Sequence, residues 1–256
     1  MSLNQPITQW QGRSVWLIGA SSGIGLATAK SLHAAGARVT VSARKTDLLD
    51  KFVASHAGAQ AIALDVCDAQ AVHAVTQQVA QTHGIDVVVY CSGYYKAVRA
   101  TKYSLEEMAY HQDVNYLGVA RVLDAILPIL LDHKRGHISL IASVAGYSGL
   151  PNSLAYGPTK AAMINLAESL YFDLSPIGIG VSVVNPGFVA TPLTAQNKFA
   201  MPALLQPEEA AAYMLKGWAD GEFEIHYPKR FSRWLKFMRL LPYRWYFGLV
   251  RSATKM

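Results

Sequence analysis

Tyr156 and Lys160 stand four residues apart in the stretch from Ser143 to Lys160, S-V-A-G-Y-S-G-L-P-N-S-L-A-Y-G-P-T-K. On a helix that spacing puts the phenol and the ammonium on one face. A free tyrosine ionises near pH 10, about three units too high to exchange protons easily at neutrality. A cation within a few ångströms favours the phenolate and lowers that pKa, and general acid–base catalysis works best when the pKa lies near the working pH. Ser143 ends an apolar run, 137–142, that predicts a strand, and it is placed to hydrogen-bond the oxygen that gains or loses the proton. The trio predicts a proton-transfer site for a carbonyl/alcohol pair. With 13 Tyr in the chain, one Tyr-x-x-x-Lys pair is weak by itself, because an ordinary surface helix carries the same pattern.

The elements that must position the trio are legible upstream. Residues 14–18 predict a buried strand and lead into Gly19-x-x-x-Gly23-x-Gly25, which opens a helical pattern running to Ala35. Glycines there permit a tight turn and close approach to a diphosphate held on helix N-terminal N–H groups; the plainer reading is a turn kept glycine-rich for packing. Further strands are predicted at 38–42, 60–64, 87–90, 136–142, 180–184 and 222–227, and helices at 46–56, 69–83, 105–132, 156–175 and 208–219. Apolar strands alternating with helices predict a parallel sheet covered on both faces, doubly wound by right-handed crossovers. Ligands of such sheets bind beyond the carboxyl ends of the strands, at the switch point.

The second strand ends Ser42-Ala43-Arg44-Lys45, with no carboxylate before Asp47. An acidic residue there would bind a ribose 2′-hydroxyl and repel a 2′-phosphate. Arg44 suits the phosphate as a bidentate fork and Lys45 adds charge, unless the pair is simply a solvated basic turn. A dinucleotide bearing a 2′-phosphate is therefore favoured over one with a free 2′-hydroxyl.

At 256 residues, 52% hydrophobic and 16% charged, the chain suits one large α/β domain and excludes disorder. No secretory leader is evident at 1–6. No uninterrupted apolar run reaches the length of a membrane span; 122–131 comes nearest and contains Asp124 and Pro128. Cys67 and Cys91 fit neither a disulfide framework nor a zinc spacing and read as buried thiols. The eight His read as scattered, and no metal site is expected. The net charge of +6 belongs to the tail: residues 226–256 hold eight of the 23 Lys/Arg and none of the 17 Asp/Glu, leaving 15 basic against 17 acidic groups before them. A domain over 1–227 and a basic extension over 228–256 are expected, in the cytoplasm or peripheral at the inner face of a membrane.

Gly19-x-x-x-Gly23-x-Gly25, Asp65-Val66, Asn115, Ser143, Tyr156-x-x-x-Lys160 and Pro186-Gly187-x-x-x-Thr191 follow one another in the order and spacing of the short-chain dehydrogenase/reductase family, and residues 12–227 resemble its compact single-domain branch. The resemblance implies a seven-stranded Rossmann sheet, a nicotinamide cofactor and hydride transfer at a carbonyl carbon; with Arg44 and Lys45 after the second strand, NADP(H) is favoured over NAD(H), and in a reducing compartment that favours carbonyl reduction. It implies Tyr156 as acid/base, Lys160 as its modulator and a ligand of the nicotinamide ribose, and Ser143 polarising the substrate carbonyl. It also implies Asn115 holding a water that links Lys160 to solvent. For the cofactor it implies contacts from Gly19, Ser21, Ser22, Gly23, Ile24, Gly25, Gly93, Pro186 and Gly187. Asp65 and Val66 would meet the adenine, Val189 and Thr191 the nicotinamide carboxamide. Two departures, Ile18 for the family's Thr and Tyr90-Cys91-Ser92-Gly93 for its Asn-Asn-Ala-Gly, remove side chains that tie strands and loops near the adenosine.

Residues 192–206 are apolar, with Leu193, Phe199, Met201, Leu204, Leu205 and one charge, Lys198. With Tyr94, Tyr95, Tyr147 and Leu150 nearby they suggest a bulky apolar carbonyl or alcohol substrate; the same loop would suit a subunit contact, and a homodimer or homotetramer is expected. In the tail Phe231, Trp234, Leu235, Met238 and Leu241 form one apolar stripe opposite Lys229, Arg233 and Lys236, and a second aromatic run follows Pro242. Such a segment over 229–251 suits an anionic membrane surface; it equally suits packing on the protein's own body or across a dimer. No nucleic-acid partner is expected, since the fold offers no groove-reading element. The alternatives to a reductase are a membrane-docked cofactor-binding scaffold without turnover and an NAD-dependent alcohol dehydrogenase. A sugar-nucleotide epimerase would need a larger domain after the sixth strand.

Overall fold

Short runs of Val, Ile and Leu, too brief for helices and apolar at successive positions, form strands buried on both faces. The computed structural model describes residues 2–197 and 199–254. The strands are β1 (Ser14–Ile18), β2 (Arg38–Ala43), β3 (Gln60–Ala63), β4 (Val87–Tyr90), β5 (Gly136–Ile141), β6 (Ile179–Pro186) and β7 (Glu224–Tyr227). They form one parallel sheet in the order β3-β2-β1-β4-β5-β6-β7. The helices are α1 (Gly23–Ala34), α2 (Thr46–Ser55), α3 (Ala69–His83), α4 (Leu105–Gln112), α5 (Gly118–His133), α6 (Tyr156–Leu174), α7 (Pro207–Ala219), α8 (Lys229–Arg239) and α9 (Tyr243–Thr254). The alternation of side chains along a strand divides the core. Trp16 and Ile18 of β1 pack beneath α3, α5 and α6, while Val15 and Leu17 pack with residues of α1 and α7. The strand order reverses between β1 and β4, which opens a crevice at their carboxyl ends. The doubly wound Rossmann arrangement is the one expected.

The helix expected over 105–132 is broken. α4 stops at Gln112, Asp113–Leu117 makes a π-helical turn, and α5 resumes at Gly118. The wider turn inserts Asn115 into the body and lets the buried Tyr90 phenol donate to the Val114 carbonyl at 2.6 Å. Pi turns of this kind recur at functional sites. An 18-residue window within Leu105–His133 has a mean hydropathy of 1.6, enough by length and composition to cross a membrane, but half of it is buried against the rest of the chain.

The tail also differs from expectation. Lys229 and Lys236 are only partly exposed; they turn to β7 and its approach, where they pair with Glu222 at 3.0 Å and with Glu224. The Ser232 hydroxyl bonds His226 Nδ1 at 2.6 Å. Met238 is buried with Tyr246 and Val250 of α9, and Phe231, Leu235 and Leu241 are half-buried, while Trp234 lies in the open. The ion pairs win over the simple stripe because Glu224 of β7 and Glu222 just before it present two carboxylates to α8.

Candidate functional site

All of the expected catalytic and cofactor residues except Asn115 line one cleft of about 840 Å³ at the carboxyl ends of the strands. The turn after β1 supplies its floor. Gly19 has φ +91°, and a Cβ there would run into the Ser92 backbone; Gly23 has φ +55°, and a Cβ would stand 2.8 Å from Thr191 Cγ2. Gly25 lets the helix approach the Gly19 carbonyl, its missing Cβ falling 2.5 Å from that oxygen. Ser22 starts α1 without a side-chain cap, and the first turn carries no acidic residue. The N-terminal N–H groups of α1 therefore present a positive, side-chain-free cradle to the cleft. Ser21 and Ile24 complete its rim.

Arg44 and Lys45 follow β2 on one flank. Arg44 Nη1 donates to the Tyr110 hydroxyl at 2.8 Å, and this bond, ahead of any other cause, raises the guanidinium pKa. A guanidinium has five N–H donors, so one bond to Tyr110 leaves capacity for a phosphate. Asp65 is exposed after β3 and accepts from the Cys67 N–H at 3.0 Å, while Val66 is buried beside it. The cradle and the open cleft beside it fit the diphosphate of a dinucleotide. On the other flank Pro186 ends β6, and the chain turns through Gly187 and Val189 to Thr191, held by Thr194, whose hydroxyl accepts from the Thr191 N–H at 3.1 Å.

The reacting end lies between β5 and α6. Ser143 follows β5, and its hydroxyl accepts from the Ala145 N–H at 3.1 Å, which fixes the turn. Tyr156 is the first residue of α6, with Tyr95 edge-on to its ring at 5.1 Å between centroids. Lys160 is 3% exposed; its Nζ donates to the Ile141 carbonyl at 2.8 Å and lies 5.6 Å from the centroid of the Tyr156 ring. Burial pushes the Tyr156 phenol up to about 12, against a downward pull from the Ser143 hydroxyl. Burial also pushes the Lys160 ammonium down to about 7. The expected lowering of the phenol is thus absent here, because desolvation outweighs the bond from Ser143.

Asn115 stands outside the cleft wall. Its Oδ1 accepts from the Tyr94 N–H at 2.7 Å, and its Nδ2 donates to the Tyr94 carbonyl at 3.0 Å and to the Thr159 hydroxyl at 3.1 Å. It fastens the turn carrying Gly93 to the start of α6. The Gly93 Cα presents no side chain toward Lys160; an added Cβ would be 3.9 Å from Nζ. The two departures from the family pattern leave no loose strand end. Cys91 N–H donates to the Ile18 carbonyl at 2.7 Å, Gly19 N–H to the Ser42 carbonyl at 2.7 Å, and the Tyr90 phenol replaces a lost side-chain tie.

The substrate loop is only partly as expected. Leu193 and Gln196 line the cleft, and Gln196 donates to the Tyr95 carbonyl at 2.7 Å. Phe199 instead meets Phe188, and Leu205 pairs with Val189 as a short bridge. Tyr147 turns away from the cleft to donate to Glu224 at 2.6 Å, and Leu150 is likewise not among the cleft residues. Lys198 lies outside the described residues. Tyr110, Thr194 and Glu224 escaped the sequence reading; the only signal was the spacing of Thr191 and Thr194, which suits a hydroxyl-bonded turn. The two thiols are unpaired and half-buried, and burial pushes each up to about 12. Among the described residues no three or more His, Cys, Asp or Glu side chains gather as a metal site; His133 and His137, four apart, are separated by the end of α5 and the start of β5.

A family model described as short chain dehydrogenase matches residues 13–201. An uncharacterized oxidoreductase of Myxococcus xanthus is 33% identical over 235 residues, covering 90% of this chain and 93% of its own length. A short-chain dehydrogenase from Streptomyces avermitilis has a solved structure that is 26% identical, superposes with a TM-score of 0.82, and covers 95% of this chain and 98% of its own. A structure named ribose-5-phosphate isomerase from Brucella melitensis 16M superposes with a TM-score of 0.77 at 27% identity, over 85% of this chain and 92% of that one. With the sheet order, the glycine cradle and the Ser–Tyr–Lys cleft in place, the chain belongs to the short-chain dehydrogenase/reductase family, oxidoreductases that interconvert CH–OH and C=O with a nicotinamide dinucleotide.

Proposed function

We propose that the protein reduces an apolar ketone or aldehyde with NADPH, using Tyr156 as the acid that protonates the carbonyl oxygen. The observation that carries this reading is the convergence of Ser143, Tyr156 and Lys160 with the glycine cradle and Arg44 on one cleft. Gly19, Ser21, Ser22, Gly23, Ile24 and Gly25 would hold the diphosphate on N–H groups. Arg44 and Lys45 would hold the 2′-phosphate, Asp65 and Val66 the adenine, and Gly93, Pro186, Gly187, Val189 and Thr191 the nicotinamide end. The nicotinamide supplies the hydride when bound.

Ser143 donates a hydrogen bond to the carbonyl oxygen and polarises it. Tyr156 delivers a proton to the same oxygen as negative charge develops there. Lys160 binds the ribose hydroxyls and, when protonated, stabilises the phenolate left behind. Asn115 positions Tyr94 and Thr159, and through them Gly93 and the start of α6. Leu193 and Tyr95 favour an apolar substrate by offering carbon surface beside Tyr156. Residues 1–227 act as one catalytic unit, with 228–256 appended, in a homodimer or homotetramer.

NADPH and NADH oxidation over a panel of apolar ketones and aldehydes tests the reading. Tyr156→Phe is expected to keep cofactor affinity and lose about 10²–10⁴-fold in kcat; full turnover in that variant would refute the role. Arg44→Ala is expected to raise the KM for NADPH about tenfold or more and leave that for NADH nearly unchanged.

A further inference from the structure

Helices α8 and α9 bury one side and leave a broad aromatic face uncovered. Trp234 is 53% exposed, Leu240 81%, Tyr243 79% and Trp245 63%, and Phe237, Phe247 and Leu249 are exposed around them. Arg230, Arg233, Arg239, Arg244 and Arg251 are all exposed on the same two helices. No acidic residue occurs anywhere from 226 to 256, while the chain before it carries slightly more acid than base. Lys229 and Lys236 are spent on Glu222 and Glu224 and fix the pair to the body. What remains outward is tryptophan, phenylalanine and leucine interleaved with arginine, the composition of helices that lie in a lipid interface.

The position of the pair is specific. Phe231 of α8 meets Phe188 at 5.9 Å between ring centroids, and Phe188 meets Phe199 of the substrate loop at 5.8 Å. Tyr246 of α9 donates to the Gly149 carbonyl at 2.7 Å, in the loop between Ser143 and Tyr156. Lys236 lies 5.6 Å from the Tyr147 ring in that same loop. The helical pair therefore abuts both segments that flank the reacting end of the cleft.

We propose that α8 and α9 dock the protein on an anionic lipid bilayer and hold the mouth of the cleft against it. The occupant is lipid because the exposed face is positive throughout: a second copy would bring five arginines against five arginines, whereas acidic headgroups neutralise them. Aromatic side chains insert at headgroup level, and the arginines stay at the surface. The substrate then reaches the cleft from the membrane phase, an extension that rests on the reductase reading, whereas docking itself does not.

Vesicle flotation of the full chain separates the two. The wild type is expected to float with phosphatidylcholine vesicles containing phosphatidylglycerol and to shift its tryptophan emission to the blue, and to stay down with phosphatidylcholine alone. Arg233→Gln with Arg244→Gln is expected to weaken binding about thirtyfold, with unchanged circular dichroism. Failure of the wild type to float with the anionic vesicles overturns the proposal. So does a stable dimer that Trp234→Ser with Trp245→Ser converts to monomer without any effect on flotation. A protein that floats but reduces no vesicle-dissolved ketone leaves docking intact and removes the reductase reading instead.

Discussion

Lys160 carries its amine into a site where it bonds the Ile141 carbonyl and lies 3.4 Å from the Met163 sulfur, with no carboxylate for a partner. Its folded pKa of about 7 lies below the ordinary lysine value near 10.4. Between those values the unfolded chain binds the proton and the folded one does not, so the Lys160 contribution makes folding less favourable there and improves as pH rises. Below about pH 7 both states are protonated and the burial penalty is present in full. Lys160→Met removes the penalty. The stability difference between variant and wild type, from urea unfolding, is expected to favour the variant most near neutrality and to shrink toward pH 10, by up to about 1.4 kcal/mol per unit. A difference independent of pH would show an amine that stays charged when folded. The identity of the trio was legible in the sequence because residue type and the four-residue spacing survive any packing. Its electrostatics were not legible, because desolvation depends on Met163 and Ile141 closing around the amine, and no spacing reports that.

Glycines and a π turn do at the scale of elements what charge does at the scale of residues. Gly23 joins the cradle to the Thr191 segment, two pieces 168 positions apart that meet at van der Waals distance. Gly23→Val would place a branched side chain at φ +55°, against Thr191 Cγ2. Left-handed backbone costs a non-glycine residue about 1–2 kcal/mol, and the displaced Thr191 adds to that. The variant is expected to unfold several degrees lower in calorimetry and to bind NADPH at least tenfold more weakly by fluorescence titration; Gly58→Val, at φ +82° with open space around it, should match only the stability loss. The strands and the glycine turn were readable because apolar runs and φ-demanding positions leave local marks. The break in the 105–132 helix left none: Asn115 and Tyr90 are ordinary residues until the sheet brings the Tyr94 backbone and Val114 to them. Likewise the apolar spacing of α8 carries no mark of how the chain folds back at β7, where Glu222 and Glu224 pair with Lys229 and Lys236.

For the molecule as a whole, the coupling between the tail and the catalytic half passes through Glu224. One carboxylate oxygen accepts from the Tyr147 phenol at 2.6 Å and from Asn185 Nδ2 at 2.9 Å, and the other pairs with Lys236. Burial alone would raise this carboxyl; the bonds from Lys236, Tyr147 and Asn185 outweigh it and hold the pKa below the ordinary value. The contribution to stability is accordingly present above the unfolded pKa near 4.3 and lost as pH falls through the folded value. Glu224→Ala leaves Lys236, Tyr147 and Asn185 without their common acceptor, and the part that ties the tail, the partly exposed pair with Lys236, is worth about 1 kcal/mol. If the tail opens as a unit, that loss appears as local opening about fivefold more frequent. Limited trypsin digestion at the exposed arginines of α8 and α9 reads it, since cleavage follows the open population when closing is fast. Glu224→Gln keeps an acceptor for Tyr147 and Asn185 but loses the charge facing Lys236, and its cleavage rate is expected between the other two. A wild-type cleavage rate in Glu224→Ala would assign the tail's attachment to Phe231, Met238 and Tyr246 alone. Faster cleavage with an unchanged core would make β7 the hinge between the catalytic body and its lipid-facing end.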